Sequence, residues 1–137
     1  MKYFIDTNVF LRVLIKEDNK TFNDCYQFLK KIKSGKLTGL TASLVLAEVS
    51  WTLLSYYKFP QKKVIQAVRG IINLKNLKIS DNYDHFLALK LWEAKKAKYI
   101  DTVIASIRQI QTKEWIIVSY DKDFDKLGVK RLEPKDF

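Results

Sequence analysis

Histidine and cysteine are almost absent: His85 and Cys25 are the only examples in 137 residues. One histidine gives poor support to a mechanism built on imidazole acid–base work or a histidine-activated nucleophile. One cysteine excludes an internal disulfide, and with a single histidine it excludes a Cys/His zinc site. Cys25 falls at a helix-periodic apolar position and reads as a buried thiol. Proline is scarce too, with two residues, and no low-complexity tract or linker is visible. That points to one folded domain over residues 1–137. No apolar run is long enough to span a bilayer. The longest, Leu44 to Tyr57, is short and carries Glu48. The first apolar run breaks at Asp6, unlike a signal peptide. A reducing cytoplasm and no membrane association are the expectation.

Basic residues, by contrast, are in excess. Lys and Arg number 25 against 15 Asp and Glu, a formal net charge of +10. Such an imbalance favours a polyanionic partner, most often nucleic acid. The charges cluster at Lys30, Lys31 and Lys33, at Lys62 and Lys63, at Lys95, Lys96 and Lys98, and at Lys130 and Arg131. Each cluster alone also reads as a solvated helix face.

Hydrophobic periodicity alternates between short strands and longer helices. Tyr3–Ile5, "KLTGLTA", "LKIS", "WIIVS" and "VKRLEP" read as strands, the last at an edge. Between them, Asn8–Ile15, the stretch "TFNDCYQFLKKIKSG", Ser43–Tyr57 and Gln61–Leu74 read as helices. So do a segment from Ser80 or Asp81 to Lys96, and Ile100–Gln111. Ser43 and either Ser80 or Asp81 stand at cap positions, and Pro60 suits a helix start. Alternating elements of this kind give an α/β fold, a mainly parallel five-stranded sheet with helices on both faces. Tyr3, Trp51, Tyr56 and Tyr57 have rings that stack on bases, but core packing is the expected use of most of them.

Four carboxylates interrupt this apolar pattern. Asp6 ends the first strand in "FIDTN" and Asp101 opens an apolar helix in "YIDTV". Either one also reads as an ordinary helix cap. Glu48 is the only charge in a helix apolar nearly all round, which predicts burial and a need for a cation, a proton or a place at the rim. Asp121 follows the most apolar strand, and Asp123 and Asp125 follow at alternate positions. In a parallel sheet, groups at the carboxyl ends of strands meet along one edge. Four like charges in one pocket repel one another, and a hard divalent cation with oxygen ligands removes the conflict.

"FIDTNVFL", "ASLVLAEVSWTL", "YIDTVIAS" and "VSYDKDFDKLGV" resemble, in order, the successive motifs of PIN domains. The likeness is to VapC-type toxins of toxin–antitoxin pairs in particular. It implies a PIN-like three-layer fold. Asp6, Glu48, Asp101 and Asp121 then correspond to the metal-binding acidic quartet, with either Asp121 or Asp123 as the direct ligand. Asn8 and Ser119 match its polar supports; the family more often has Thr at the second place, and Ala where Thr102 follows Asp101. The resemblance further implies an Mg²⁺- or Mn²⁺-dependent ribonuclease. A metal-activated water attacks the phosphodiester in line, leaving a 3′-hydroxyl and a 5′-phosphate. Arg12 and the lysine clusters, Lys95, Lys96 and Lys98 among them, would follow the RNA backbone. A cognate antitoxin and a homodimer are implied as partners.

Rival readings are weaker on the same residues. A haloacid-dehalogenase-like phosphatase wants Asp where Asn8 stands, and a receiver domain finds only Asp81 near its middle strand. A flap nuclease acting on DNA needs extra acids and a helical arch for which there is no room. A non-catalytic PIN-fold binding or regulatory protein would be expected to have lost at least one carboxylate.

Overall fold

Short, mostly apolar segments make the strands of the computed structural model, which describes residues 1–137. They are β1 (Lys2–Ile5), β2 (Thr38–Thr41), β3 (Leu77–Ile79), β4 (Trp115–Val118) and β5 (Arg131–Leu132). They form one sheet in the order β3-β2-β1-β4-β5, and every pairing is parallel. Phe4 and Ile5 of β1 and Ile117 and Val118 of β4 are fully buried, as central strands covered on both faces require. Gly39 on β2 lets a helix come close. A Cβ there would lie 3.0 Å from the Ile32 and Leu77 side chains.

Helices α1 (Thr7–Leu14) and α2 (Asn19–Lys33) join β1 to β2, and α3 (Ser43–Trp51) and α4 (Gln61–Ile72) join β2 to β3. The return to β4 runs through α5 (His85–Ala94), α6 (Tyr99–Ala105) and α7 (Arg108–Gln111). The chain therefore steps outward from β1 to β3 and then crosses back past β1. Right-handed crossovers put α1–α4 on one face and α5–α7 on the other. The packing agrees: α1 meets α2 and α3, α3 meets α4, and α5 meets α6. The expected three-layer α/β architecture is present. The order reverses between β1 and β4, which opens a crevice at their carboxyl ends.

Several local expectations need correction. Ser43 does not cap its helix; Ala42 holds the N-cap position, and Asp81 accepts the Ser43 N–H at 2.7 Å from across the sheet edge. Neither Ser80 nor Asp81 caps α5. Asp84 does, accepting from the Leu87 N–H, and the helix ends at Ala94 rather than Lys96. The expected Ile100–Gln111 helix breaks at Ser106 and Ile107. The Ser106 hydroxyl donates to the Val103 carbonyl and accepts the Asp84 N–H, while Ile107 turns extended. Such side-chain bonds compete with the helix ladder.

After α3 the chain widens into one π-helical stretch, Thr52–Tyr56. This segment is not buried all round. Val45, Val49 and Leu53 face the core, but Trp51 is 66% exposed and Tyr56 is 73% exposed. Those two rings are therefore surface groups, not core packers. The main helices packed on α3 are α1 and α4, and the side that carries Trp51 meets water. Cys25, as expected, lies inside the core cluster. No helix is long and apolar enough to cross a membrane.

Candidate metal centre

Asp6 occupies the N-cap position of α1, with extended backbone, yet its carboxylate makes no cap bond. Its N–H instead extends the sheet ladder to the Val118 carbonyl at 3.1 Å. That registers the end of β1 against the end of β4. The Ser119 hydroxyl donates to Asp6 Oδ2 at 2.7 Å, and the Asn8 amide approaches the same oxygen at 3.3 Å. Ser119 Oγ in turn accepts the Asn8 amide at 2.9 Å and the Asp121 N–H at 3.0 Å. Asn8 Oδ1 takes the Tyr120 N–H at 3.2 Å. One hydroxyl and one amide thus join both strand ends. Asp6 is buried, and that burial pushes its pKa up to about 6 against the Ser119 bond, with the charges of Glu48 and Asp121 adding to the rise.

Asp101 does not cap α6 either. Lys98 is the N-cap, and Asp101 lies three residues further on, in the first turn. Its carboxylate is buried, and Oδ2 has no hydrogen-bond partner in the protein. A buried, unpartnered carboxylate oxygen is expensive. Burial first, then the charges of Asp6 and Asp121, push its pKa up to about 8.

Asp121 caps the 3₁₀ turn Lys122–Leu127, accepting the Asp123 N–H at 2.9 Å. Its other oxygen faces the Lys98 ammonium at 3.2 Å. Burial pulls its pKa upward, but the Asp123 N–H and Lys98 outweigh that pull and hold it below the ordinary carboxylate value. Asp101, Asp121 and Asp123 each offer an oxygen within 4.8 Å of the others. Glu48 is half-buried on α3 and outside that trio, but its charge reaches both Asp6 and Lys98. Asp125, the third acid of its run, is taken by Arg131 in a two-point pair at 3.0 and 3.1 Å.

These groups are all hard oxygen donors, too close to remain charged together without a countercharge. They fit a divalent cation of the Mg²⁺ or Mn²⁺ kind, and Asp101 Oδ2 is the donor left over for it. Roomier hollows lie elsewhere, as between α2 and Leu74, where about 630 Å³ is bounded by Val13, Tyr26, Leu29 and Leu74. An ion needs donors rather than room.

A family model for the PIN domain matches residues 3–130. The chain belongs to the PIN domain family. Solved structures of similar fold include the VapBC2 complex from Rickettsia felis bound to a DNA fragment from their promoter. That match has 19% identity and a TM-score of 0.67, covering 97% of this chain and 98% of the other. VapC20 from Mycobacterium tuberculosis, a sarcin–ricin loop cleaving toxin, matches at 18% identity and a TM-score of 0.64, over 93% and 95% of the two chains. No curated protein sequence matches the chain significantly.

In this PIN domain the remaining sequence-derived candidates scatter around the centre. Lys98 is in it. Lys95 and Lys96 are exposed in the turn between α5 and α6. Arg12, in the last turn of α1, lies 5.6 Å from the centre of the Tyr120 ring. With Asn8, Glu17 and Tyr57 it lines a hollow of about 200 Å³ beside the crevice. Thr102 turns its hydroxyl back to the Tyr99 carbonyl, away from the acids. His85 is exposed at the start of α5.

Two residues escaped the sequence reading. Lys126 pairs with Asp123 at 3.1 Å. Arg131, counted only as part of a basic cluster, is nearly buried and bonds Asp125, Glu133 and the Ser119 carbonyl. It clamps the loop that carries Asp121. Its place two residues before Glu133 was the available signal.

Proposed function

We propose that this PIN domain is an Mg²⁺- or Mn²⁺-dependent endoribonuclease, the VapC-type toxin of a toxin–antitoxin pair. The observation that carries the reading is Asp101 Oδ2, a buried carboxylate oxygen with no partner, set among Asp121 and Asp123 and close to Asp6. Asp6, Asp101 and Asp121, with Asp123, are the residues that would hold the cation, and Glu48 lends charge from α3. When bound, a divalent cation supplies Lewis acidity, activating water for attack and offsetting charge on the phosphate.

The chain's own residues do the rest. Ser119 and Asn8 both donate to Oδ2 of Asp6 and so hold its carboxylate in one orientation. Asp101 brings charge into a dry wall, where it attracts a cation more strongly than it would in water. The exposed lysines 95 and 96, with Lys98 and Arg12, offer phosphate contacts that orient the strand without reading bases. The expected products of in-line hydrolysis are a 3′-hydroxyl and a 5′-phosphate.

The likeness to a VapC toxin and to a VapBC complex supports the toxin reading and an antitoxin partner. A homodimer and a cytoplasmic location complete the proposal, and light scattering of the purified protein tests the former. The deciding experiment is cleavage of a labelled RNA pool with Mg²⁺, Mn²⁺ or EDTA, using wild type beside Asp6→Asn and Asp101→Asn. Cutting that needs metal and fails in both variants is expected. A folded wild type that binds Mn²⁺ but cuts neither RNA nor DNA would make it a binding module instead. Preference for DNA would overturn the substrate.

A further inference from the structure

Lysine is a poor choice at position 98 by every local rule. It stands at the N-cap of α6, where Ser, Thr, Asp or Asn would supply a side-chain cap, and it makes no such bond. Its charge sits at the end of the helix where backbone N–H groups already point outward. Residues that break local rules need a tertiary reason. The reason on the page is the acidic centre. Lys98 Nζ lies 3.2 Å from Asp121 Oδ2, and the charges of Asp101 and Glu48 also act on it. Its carbonyl accepts the Asp101 N–H at 3.1 Å, so the helix start ties its backbone to the buried carboxylate.

We propose that Lys98 is the resident counter-ion of the acidic centre, a tethered ammonium that gives way when a divalent cation enters and so sets how tightly that cation binds. The proposal rests on the divalent-cation reading above. Asp121 cannot give the same oxygen both to Lys98 at full strength and to an ion shared with Asp101 and Asp123. An ammonium left in place would also face a doubly charged ion at close range. Lys98 is free to leave, because its side chain is 65% exposed and holds no other partner. Lys126, on Asp123, is the second cation facing the cluster, but it is also tied to the Lys96 carbonyl. Lys98 is therefore the mobile one.

Calorimetric titration of Mn²⁺ into metal-stripped protein tests this without reference to activity. The proteins are wild type, Lys98→Gln, Lys98→Arg and, as a remote charge control, Lys36→Gln. Lys98→Gln should bind Mn²⁺ about tenfold more tightly, the scale of removing one unit charge from beside a divalent ion near a wet surface. Lys98→Arg and Lys36→Gln should stay close to wild type, which separates local competition from net charge. In EDTA at pH 8, Lys98→Gln should melt below wild type, since its carboxylates have lost their countercharge. Mn²⁺ should then raise its melting temperature more than it raises that of wild type. Equal or weaker Mn²⁺ binding by a folded Lys98→Gln overturns the counter-ion role and leaves the metal centre standing. No Mn²⁺ binding by any of the four overturns both.

Discussion

Two aspartates leave the carboxyl edge of the same sheet, Asp81 beyond β3 and Asp6 at the end of β1, and they meet opposite fates. Asp81 is exposed and accepts three bonds: the Ser43 N–H at 2.7 Å, the Ser43 hydroxyl at 2.6 Å and the Tyr83 hydroxyl at 2.8 Å. Slight burial pulls its pKa up, but those donors outweigh it and hold the pKa low. Asp6 is buried, its two side-chain donors share the single oxygen Oδ2, and burial outweighs them and pushes its pKa up to about 6. Asp101 goes further, with one oxygen bonded to nothing. The place of a carboxylate at a strand end does not tell a cap from a ligand. The balance of burial against donors does: an exposed, well-supplied Asp81 braces a helix start, whereas Asp6 and Asp101 are buried with charge that a cation would offset.

That contrast breaks most visibly at Asp101. Asp101→Asn keeps the shape and removes the charge, so RNA cleavage should fall by about a hundredfold or more. In EDTA at pH 8 the same variant should be more stable than wild type by about 2 kcal/mol in urea unfolding, because ionising Asp101 works first against its burial and then against the charges of Asp6 and Asp121. A variant less stable than wild type would show that Asp101 is structural.

The pH dependence follows with a definite sign. Asp6 and Asp101 bind protons more tightly folded than unfolded. Their contribution is therefore complete below the ordinary carboxylate value and is lost as pH rises through about 6 and then about 8. Melting of metal-free protein should fall between pH 5 and pH 8, and saturating Mg²⁺ or Mn²⁺ should flatten that slope. Asp101→Asn should remove its upper part. A flat profile in EDTA would equate Asp6 with Asp81.

Smaller effects sharpen the comparison. Arg131→Met removes the clamp on the Asp121 loop and should cost about 1–2 kcal/mol by urea unfolding, while weakening Mn²⁺ binding in calorimetry. Asp81→Ala should cost about 1 kcal/mol, as lost caps do, and leave Mn²⁺ affinity unchanged. Altered metal affinity in Asp81→Ala would erase the distinction between the two strand ends.

Much of the architecture was legible because it is local. The apolar segments ending at Ile5 and Val118 announced the two central strands, and Asp6 and Asp121 were visible as acids just beyond them. Helix ends were less legible wherever a distant group competed. Asp81 takes the Ser43 N–H from the end of the neighbouring strand β3, a partner 38 residues away in the chain that the pattern around Ser43 does not show. The Ser106 hydroxyl broke a helix whose apolar pattern runs on without interruption. The burial of α3 was overestimated for the same reason: periodicity shows which residues are apolar but not which face finds a neighbour, and Trp51 and Tyr56 found none.

By itself the sequence determined an alternation of strands and helices, a basic surface, and carboxylates set at points where apolar segments stop. Those properties depend on residue type and on spacing along the chain, so they survive without coordinates. Only the tertiary structure decided which acids meet. Asp101, Asp121 and Asp123 come together because the crossover past β1 brings α6 against the loop after β4, while Asp125 is drawn off to Arg131 and Asp81 to Ser43. It also turned Lys98 from one charge in a run of lysines into the ammonium facing that cluster. Electrostatic energy depends on distance and dielectric, and folding sets both.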